Sequence, residues 1–542
     1  MLGGQKKLLK RLHTDLLPRL TAEGVKAETK AVLQELYHSG SWVTVPYLLS
    51  CVISYEKEIA NESAGCIAHF MYDILPSTIA RLDDRVRGSA WYTRDFRKLW
   101  DESSLEVVSI LRAMTPPVVF MGLCSMHRNG RVREIAIQEL DQITDGSELP
   151  YLLLRSTDWV PIVSTKAKNA IRAKRLTTRY AKHYLANMAL LDQLRQRKRG
   201  DAASLFQSIQ EICLKADTGE FMEALKNKDS KTRRLCFYIG LGAQNADRQE
   251  IIKAGLRNKD NIVRKIALMA AVAQAKGDEL WSLIEDALKD RFPAHRREAL
   301  GLLLTHFPER ADDYLRKMLV DGAATVRSLA KYHLKQRDPN FDFRQFYQEQ
   351  LKSADSKVIV AALQGLTECK QPEDYSVIEL FLKNENRQVK KIAMSCLAYL
   401  NKERTVAHLL EFMCSPEPGI AKEAQSNLQK CFRYVTGEEL WRLYSGTKNP
   451  KIQINIIRVL MMLPQWDSLG YLLLSLRNKD ADVKAAALDA VKWWQTKHRM
   501  TWRNILPNKM QAERVRLAAP LIAGEIAGQK FRELHLAIDS VL

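Results

Sequence analysis

Self-similarity at a spacing of about 31 residues constrains this chain more than any other feature. Three segments carry it most openly: LKNKDSKTRRLCFYIGL from Leu225, LRNKDNIVRKIALMAAV from Leu256 and LRNKDADVKAAALDAV from Leu476. Anchoring on the small or β-branched residue before the basic position gives a series. It runs Val132, Val163, Thr232, Val263, Ala294, Val326, Val358, Val389, Ile420, Ile452, Val483 and Val515. Every step is 31 or 32 residues except one of 69, which spans 164–231 and has room for one degenerate unit. Four residues past the anchor stands a small residue in ten of the twelve units, such as Ala136, Cys236, Ala267 and Ala393. Apolar residues at i, i+3, i+4 and i+7 form one face of a helix. Leu-rich runs upstream (YLLLSL, VIELFLK) supply a second helix, and NKD, SPEPG and TKNP mark the turns between. Such a hairpin cannot bury its apolar faces alone, so neighbouring units must stack around a continuous core.

The pattern Asn-Lys-Asp-x-x-Val-Arg resembles HEAT repeats. That resemblance covers about 120–542 and implies an all-α fold: a right-handed α-solenoid of about twelve or more stacked HEAT-like hairpins. It also implies a ladder between units made by the loop Asp and the following basic residue. The matching positions are Asp229/Arg233, Asp260/Arg264 and Asp480/Lys484, with Ile359, Ala421 and Gln453 interrupting the basic slot. The basic residues after the anchors (Arg133, Arg233, Arg264, Arg327, Lys390, Lys484, Arg516) are therefore expected to be structural rather than phosphate-binding. Residues 1–120 lack the period and read as an N-terminal helical cap or divergent repeats. Residues 121–200 hold repeats with a basic helix, 201–506 the regular units, and 507–542 the closing helices. Architecture of this kind says almost nothing about function.

Charge is the next informative property. The net charge of +20 points to an acidic partner or a polyanion. It is localised. Residues 164–199 hold eleven Lys or Arg against one acid, Asp192, and residues 484–532 hold ten against three, so together they account for 17 of the 20 excess charges. In the first zone Lys168, Arg172, Arg175, Arg179 and Lys182 step by 4, 3, 4 and 3, a single stripe if one helix carries them. Thr177-Thr178 is the point at which that helix would break. Arg195, Arg197, Lys198 and Arg199 follow. The second zone, KWWQTKHRMTWRN, interleaves Lys497, Arg499 and Arg503 with Trp494 and Trp502, a pattern able to stack bases and neutralise phosphates. The competing expectation is that these tryptophans pack between the last repeats.

Signals for chemistry are poor. There is no GxxxxGK[ST], GxSxG or GxGxxG, no CxxC, no HxxxH and no His-Glu dipeptide. Ser445-Gly-Thr-Lys448 matches SxxK within a repeat turn. Alkylpurine DNA glycosylases of HEAT-like build use tryptophans with a carboxylate. Asp158-Trp159 is the best local match, with Trp100-Asp101 and Trp466-Asp467 behind it. The simpler expectation makes Asp158 a helix cap, Trp159 core filling and Pro161 a first-turn residue. No cofactor or metal is implied. Nine scattered cysteines in apolar surroundings, and no apolar stretch of membrane-spanning length, read as buried thiols of a cytoplasmic protein. The leading expectation is a non-catalytic scaffold whose basic surface holds nucleic acid. The alternative is an adaptor gripping an acidic protein partner, and the enzymatic outlier is the glycosylase.

Overall fold

The computed structural model describes all residues except 1–2, 21–23, 55, 88–99, 101–103, 198–201, 499–504, 523, 525–530 and 542. The described residues form helices joined by short turns, in two compact units, 1–283 and 284–542.

In unit 1 the repeat period becomes pairs of antiparallel helices. Pro117–Cys124 precedes Gly130–Leu140, Leu149–Ser156 precedes Pro161–Lys174, Thr218–Ala224 precedes Ser230–Gly240, and Arg248–Leu256 precedes Asn261–Val272. The long step in the series is filled by three helices, Ala181–Ala186, Met188–Arg195 and Ala203–Leu214. Anchors Val132, Val163, Thr232 and Val263 and small residues Ala136, Ala167, Cys236 and Ala267 are all fully buried. Each such residue brings the neighbouring helix close, and the continuous core runs from Leu9 to Ala267.

Unit 2 repeats the plan, with pairs such as Ala311–Met318 with Ala324–Arg337, Lys402–Met413 with Pro418–Lys430, and Gln465–Ser475 with Ala481–His498. One anchor shifts by a residue. Ala294 is exposed, and His295 takes the buried slot, with buried Ala299 four residues on. Pro293 at the first helical position starts this helix without a capping side chain, so the register is set by which residues bury.

The turns explain why Asn and Asp recur there. Asn129, Asp229, Asp260, Asp355, Asn386 and Asn449 each accept backbone N–H groups at the start of the second helix of a pair. The inter-unit ladder is present. Arg133 donates to Asp158 in bidentate fashion, Nε to Oδ2 at 3.1 Å and Nη2 to Oδ1 at 2.9 Å. Arg233 reaches Asp260 at 3.3 Å and Arg296 reaches Asp321 at 2.6 Å. The same guanidinium groups donate to carbonyls of their own turn: Arg133 to His127 and Arg128, Arg233 to Asn227 and Lys228, Arg264 to Asn258 and Lys259. These arginines hold turns together; Arg133 is fully buried and Arg233, Arg264 and Arg327 nearly so.

One arrangement has no counterpart in the repeat pattern. The helix Pro76–Arg87 folds back along the turn edge of later repeats and packs on the helices Leu149–Ser156, Met188–Arg195 and Ser230–Gly240. Ser77 N–H donates to Asp229 at 3.1 Å, Gln193 Nε2 donates to the Ser77 carbonyl at 3.0 Å, Lys228 pairs with Asp73 at 2.6 Å and Arg155 with Asp83 at 2.6 Å.

All nine cysteines are free thiols and seven are buried. Burial pushes Cys51 and Cys213 up to about 12, which leaves them protonated and inert. No helix of the described residues is long and apolar enough to cross a membrane.

Candidate functional site

The expected stripe does not form. The helix that starts at Pro161 ends at Lys174, with Arg175 as its C-cap and Thr177 in extended conformation. Lys168 and Arg172 lie one turn apart on that helix. Arg179 falls in a short 3-10 turn, and Lys182 in the next helix. The break follows from Arg175, which is withdrawn into the protein. Its Nε donates to Glu148 at 2.6 Å and its Nη1 to Asp141 at 2.7 Å, while the carbonyls of Ala170 and Ile143 accept further bonds at 2.6 Å. Neither Arg175 nor Glu148 has exposed side-chain surface. A charge this deep requires paired acids, so Arg175 is a structural residue and leaves the list of candidate polyanion contacts.

Lys168, Arg172, Arg179, Lys182, Arg195 and Arg197 keep no carboxylate partner within salt-bridge distance among the described residues, whereas Lys166 pairs with Glu134 and Lys174 with Asp141. They do not converge. Lys182 lines a shallow groove with Tyr72, Glu220, Glu223 and Lys228, and Arg197 lines a different cavity. Lys198 and Arg199 lie outside the described residues, as do Arg499, Trp502 and Arg503 of the second zone. Its described aromatic part is core. Trp494 is buried, donates through Nε1 to the Gln465 carbonyl at 2.7 Å and packs edge-on to Trp466 at 6.1 Å. His498 packs on Trp494, and burial depresses its pKa to about 4. Lys492 and Lys497 are exposed, Lys492 beside Asp489 at 3.3 Å and Lys497 with its ammonium 4.5 Å from the Trp493 ring centre.

The cavity at Arg197 is about 680 Å³ in volume. It is walled by the end of the folded-back helix (Asp83, Asp84, Arg87), by the turn residue Arg128, and by Leu154, Arg155, Thr157, Asp158 and Trp159 of the next repeat. Asp158 does cap the start of the following helix, its Oδ1 accepting from Val160 N–H at 3.0 Å. Arg133, Arg155 and Arg87 add four more donors to the same carboxylate, whose side chain is 1% exposed. A carboxylate so enclosed has no access to a substrate base, which removes the strongest residue behind the glycosylase reading. Trp466 is likewise buried and donates to the Ile505 carbonyl. Trp159, expected in the core, is instead 66% exposed, with the Arg133 guanidinium 6.0 Å from its ring centre. The adjacent turn is closed by the aspartate–arginine cluster, so no apolar hole remains for the indole. Among the described residues no group of three or more His, Cys, Asp or Glu side chains could hold a metal ion.

A second surface feature was not legible as a run in the sequence. On the helix Asn261–Val272, Ile262, Lys265 and Met269 share an exposed stripe at i, i+3 and i+7. On the adjacent helix Ser230–Gly240, Lys231, Arg234 and Tyr238 occupy the equivalent positions. Tyr238 is 72% exposed, and Ile262 and Met269 are each 40% exposed. The signal that could have found them is the repeat itself: each of the six stands one residue before, two after or six after its anchor.

No family model matches the chain, and no curated protein matches it. Among solved structures it is similar to importin beta, at a TM-score of 0.35 and 12% identity, over 98% of this chain and 68% of that one. It is also similar to Kap121p bound to Pho4p, at 0.30 and 12% over 96% of this chain and 60% of that one. A third likeness is a microtubule polymerase TOG-domain array that recruits tubulin, at 0.24 and 13% over 77% and 99%. The chain thus spans about 60% of the length of Kap121p. What stands on its own is the architecture, an all-α array of stacked HEAT-like hairpins braced by an Asp–Arg ladder.

Proposed function

We propose that the protein is a non-catalytic binding scaffold whose repeat surface takes an acidic, amphipathic segment of a protein partner. The observation that carries this reading is the mixed stripe on the two adjacent helices of unit 1, Lys231–Arg234–Tyr238 beside Ile262–Lys265–Met269. A phosphate backbone is held by cations and hydrogen-bond donors and gains nothing from exposed isoleucine and methionine. An amphipathic helix offers apolar anchors at i, i+3 or i+4 and i+7 that match Tyr238, Ile262 and Met269, while Lys231 and Arg234 are held in place by Asp192 and Asp260. The six unpaired cations of 168–197 then serve to steer an acidic partner toward the chain.

The nucleic-acid reading keeps those same six cations but has lost Arg175 and the one-helix stripe. A titration separates the two. The full chain is mixed with a fluorescent Leu/Glu amphipathic peptide, and separately with duplex DNA and single-stranded RNA, at rising salt. The proposed function expects peptide binding that Tyr238→Glu with Met269→Glu abolishes. Nucleic-acid binding that is tight at physiological salt, untouched by that pair and lost in Lys168→Glu with Arg172→Glu, would overturn it.

A further inference from the structure

A groove of about 500 Å³ lies apart from the residues of the stripe that the proposed function uses. One wall is the segment 72–76, which leads into the folded-back helix. The other is made by Lys182, Asn187 and the turn that follows the helix Thr218–Ala224. Asn227 stands in that turn. Its Oδ1 accepts the Asp229 N–H at 2.8 Å, and its Nδ2 has no acceptor within the protein. The same turn one repeat later shows what this amide does elsewhere. Asn258 Oδ1 accepts the Asp260 N–H at 2.9 Å, and Asn258 Nδ2 donates to the Leu225 carbonyl of the preceding repeat at 3.1 Å. For Asn227 the preceding unit is the irregular one, which supplies no such carbonyl, and the groove lies in its place. Asn187 lines the same groove and is 8% exposed. Its Nδ2 donates to the His183 carbonyl at 3.0 Å, while its Oδ1 accepts no hydrogen bond from the protein. An acceptor so enclosed meets little water, so a donor brought in by a ligand gains there. The lysines of the turn are already paired, Lys228 with Asp73 at 2.6 Å and Lys226 with Glu223 at 3.4 Å. Lys182 is exposed and has no carboxylate partner among the described residues. Tyr72, 90% exposed, and Leu75 supply an apolar rim.

We propose that this groove binds a short extended segment of a partner protein, its backbone held by Asn187 and Asn227 and an acidic side chain by Lys182. The carbonyl that Asn258 finds in the preceding repeat is a peptide carbonyl, and an incoming chain offers Asn227 the same group. The N–H groups of that chain match Asn187 Oδ1. An extended segment presents both kinds of backbone group outward, whereas a helix has already spent them on itself, so this site and the stripe take different conformations. Tyr72 and Leu75 then cover an apolar side chain of the segment. The folded-back helix is essential to the site, because the wall 72–76 is held in place by the Ser77 and Lys228 contacts with the repeats.

A random octapeptide library displayed on phage, selected on the full chain and counter-selected on Lys182→Glu, tests this. Selection is expected to enrich peptides with Asp or Glu at a fixed distance from an apolar residue. Synthetic copies of the enriched peptide should bind at least ~10-fold more weakly to Lys182→Glu and to Asn187→Leu, the scale of one lost hydrogen bond to a charged or enclosed group. Lys182 is exposed and unpaired, so its change should leave the unfolding midpoint unaltered. Asn187→Leu also removes the bond to His183, so N-methylation of the peptide, one residue at a time, tests the same contact without touching the protein. One methyl should cost the wild type at least ~10-fold and cost Asn187→Leu nothing further. Tyr238→Glu with Met269→Glu should leave this binding intact, so failure here and failure of the stripe are read separately. The proposal is overturned if no peptide is enriched, if the enriched peptides bind Lys182→Glu and Asn187→Leu as tightly as wild type, if no N-methyl position weakens binding, or if the bound peptide is helical by circular dichroism.

Discussion

The ladder turns and the segment 164–197 are both rich in cations, and they treat them in opposite ways. In the ladder the turns at Arg133, Arg233, Arg264, Arg296 and Arg327 repeat one solution. An arginine one residue past the anchor bonds the carbonyls of its own turn, and Arg133, Arg233 and Arg296 also meet the aspartate of the next unit. In 164–197 a single arginine, Arg175, is buried in that manner, and its acids lie 27 and 34 residues upstream, outside the segment. Its neighbour Arg172, three residues earlier on the same helix, stands in solvent. A local sum of charges counts the two arginines as equal. Folding makes one a structural ion and the other a surface cation, because burial depends on what the preceding repeat brings alongside.

The sharpest way to break that comparison is to truncate both residues. Arg175→Ala strands Glu148 in the interior and should cost about 3–5 kcal/mol in denaturant unfolding, whereas Arg172→Ala should change stability by less than ~0.5 kcal/mol. Equal effects would mean that the segment treats its cations uniformly. Next in size, Asp158→Asn removes the charge shared by Arg133, Arg155 and Arg87 and should cost about 2–4 kcal/mol, lowering the melting temperature.

A smaller effect is expected from pH. Burial raises the Asp83 carboxyl to about 6, with Arg87 pulling the other way. The unfolded chain releases this proton near pH 4 and the folded chain near 6, so the Asp83 contribution to stability falls as pH rises from 4 to 6 and is level above that. His13 works in the opposite sense. Burial lowers it to about 4, against a backbone hydrogen bond to Tyr47 that raises it, so the stability it contributes is full above pH 6.5 and is lost as pH falls toward 4. Unfolding curves between pH 4 and 7 should therefore tilt one way in Asp83→Asn and the other in His13→Gln; parallel shifts would show that neither group titrates as described. The smallest effect should come from Lys168→Ala, within ~0.5 kcal/mol of wild type, since no partner is lost.

How far the site was legible divides along the same line. The Arg133, Arg233 and Arg264 roles follow from the repeat, because each bonds within its own turn or the next unit. Trp159 was expected in the core and is exposed, because Asp158 and its arginines already fill the turn. The cavity beside it was invisible, because its walls come from residues 71 apart, as in the Arg87–Asp158 pair. The stripe of Tyr238 and Met269 was present in the register but hidden by reading for charge alone.

A period of 31 residues was enough, taken alone, to set helical hairpins, their buried small residues and the arginine-braced turns. Those are near-neighbour properties, and most units state them again. The tertiary structure alone decided that Arg175 is internal, that Trp159 faces solvent and that the helix Pro76–Arg87 returns to Asp229 across 152 residues. The reason is that a side chain's charge and burial are set by partners brought close in space, and those partners repeat at no interval in the chain.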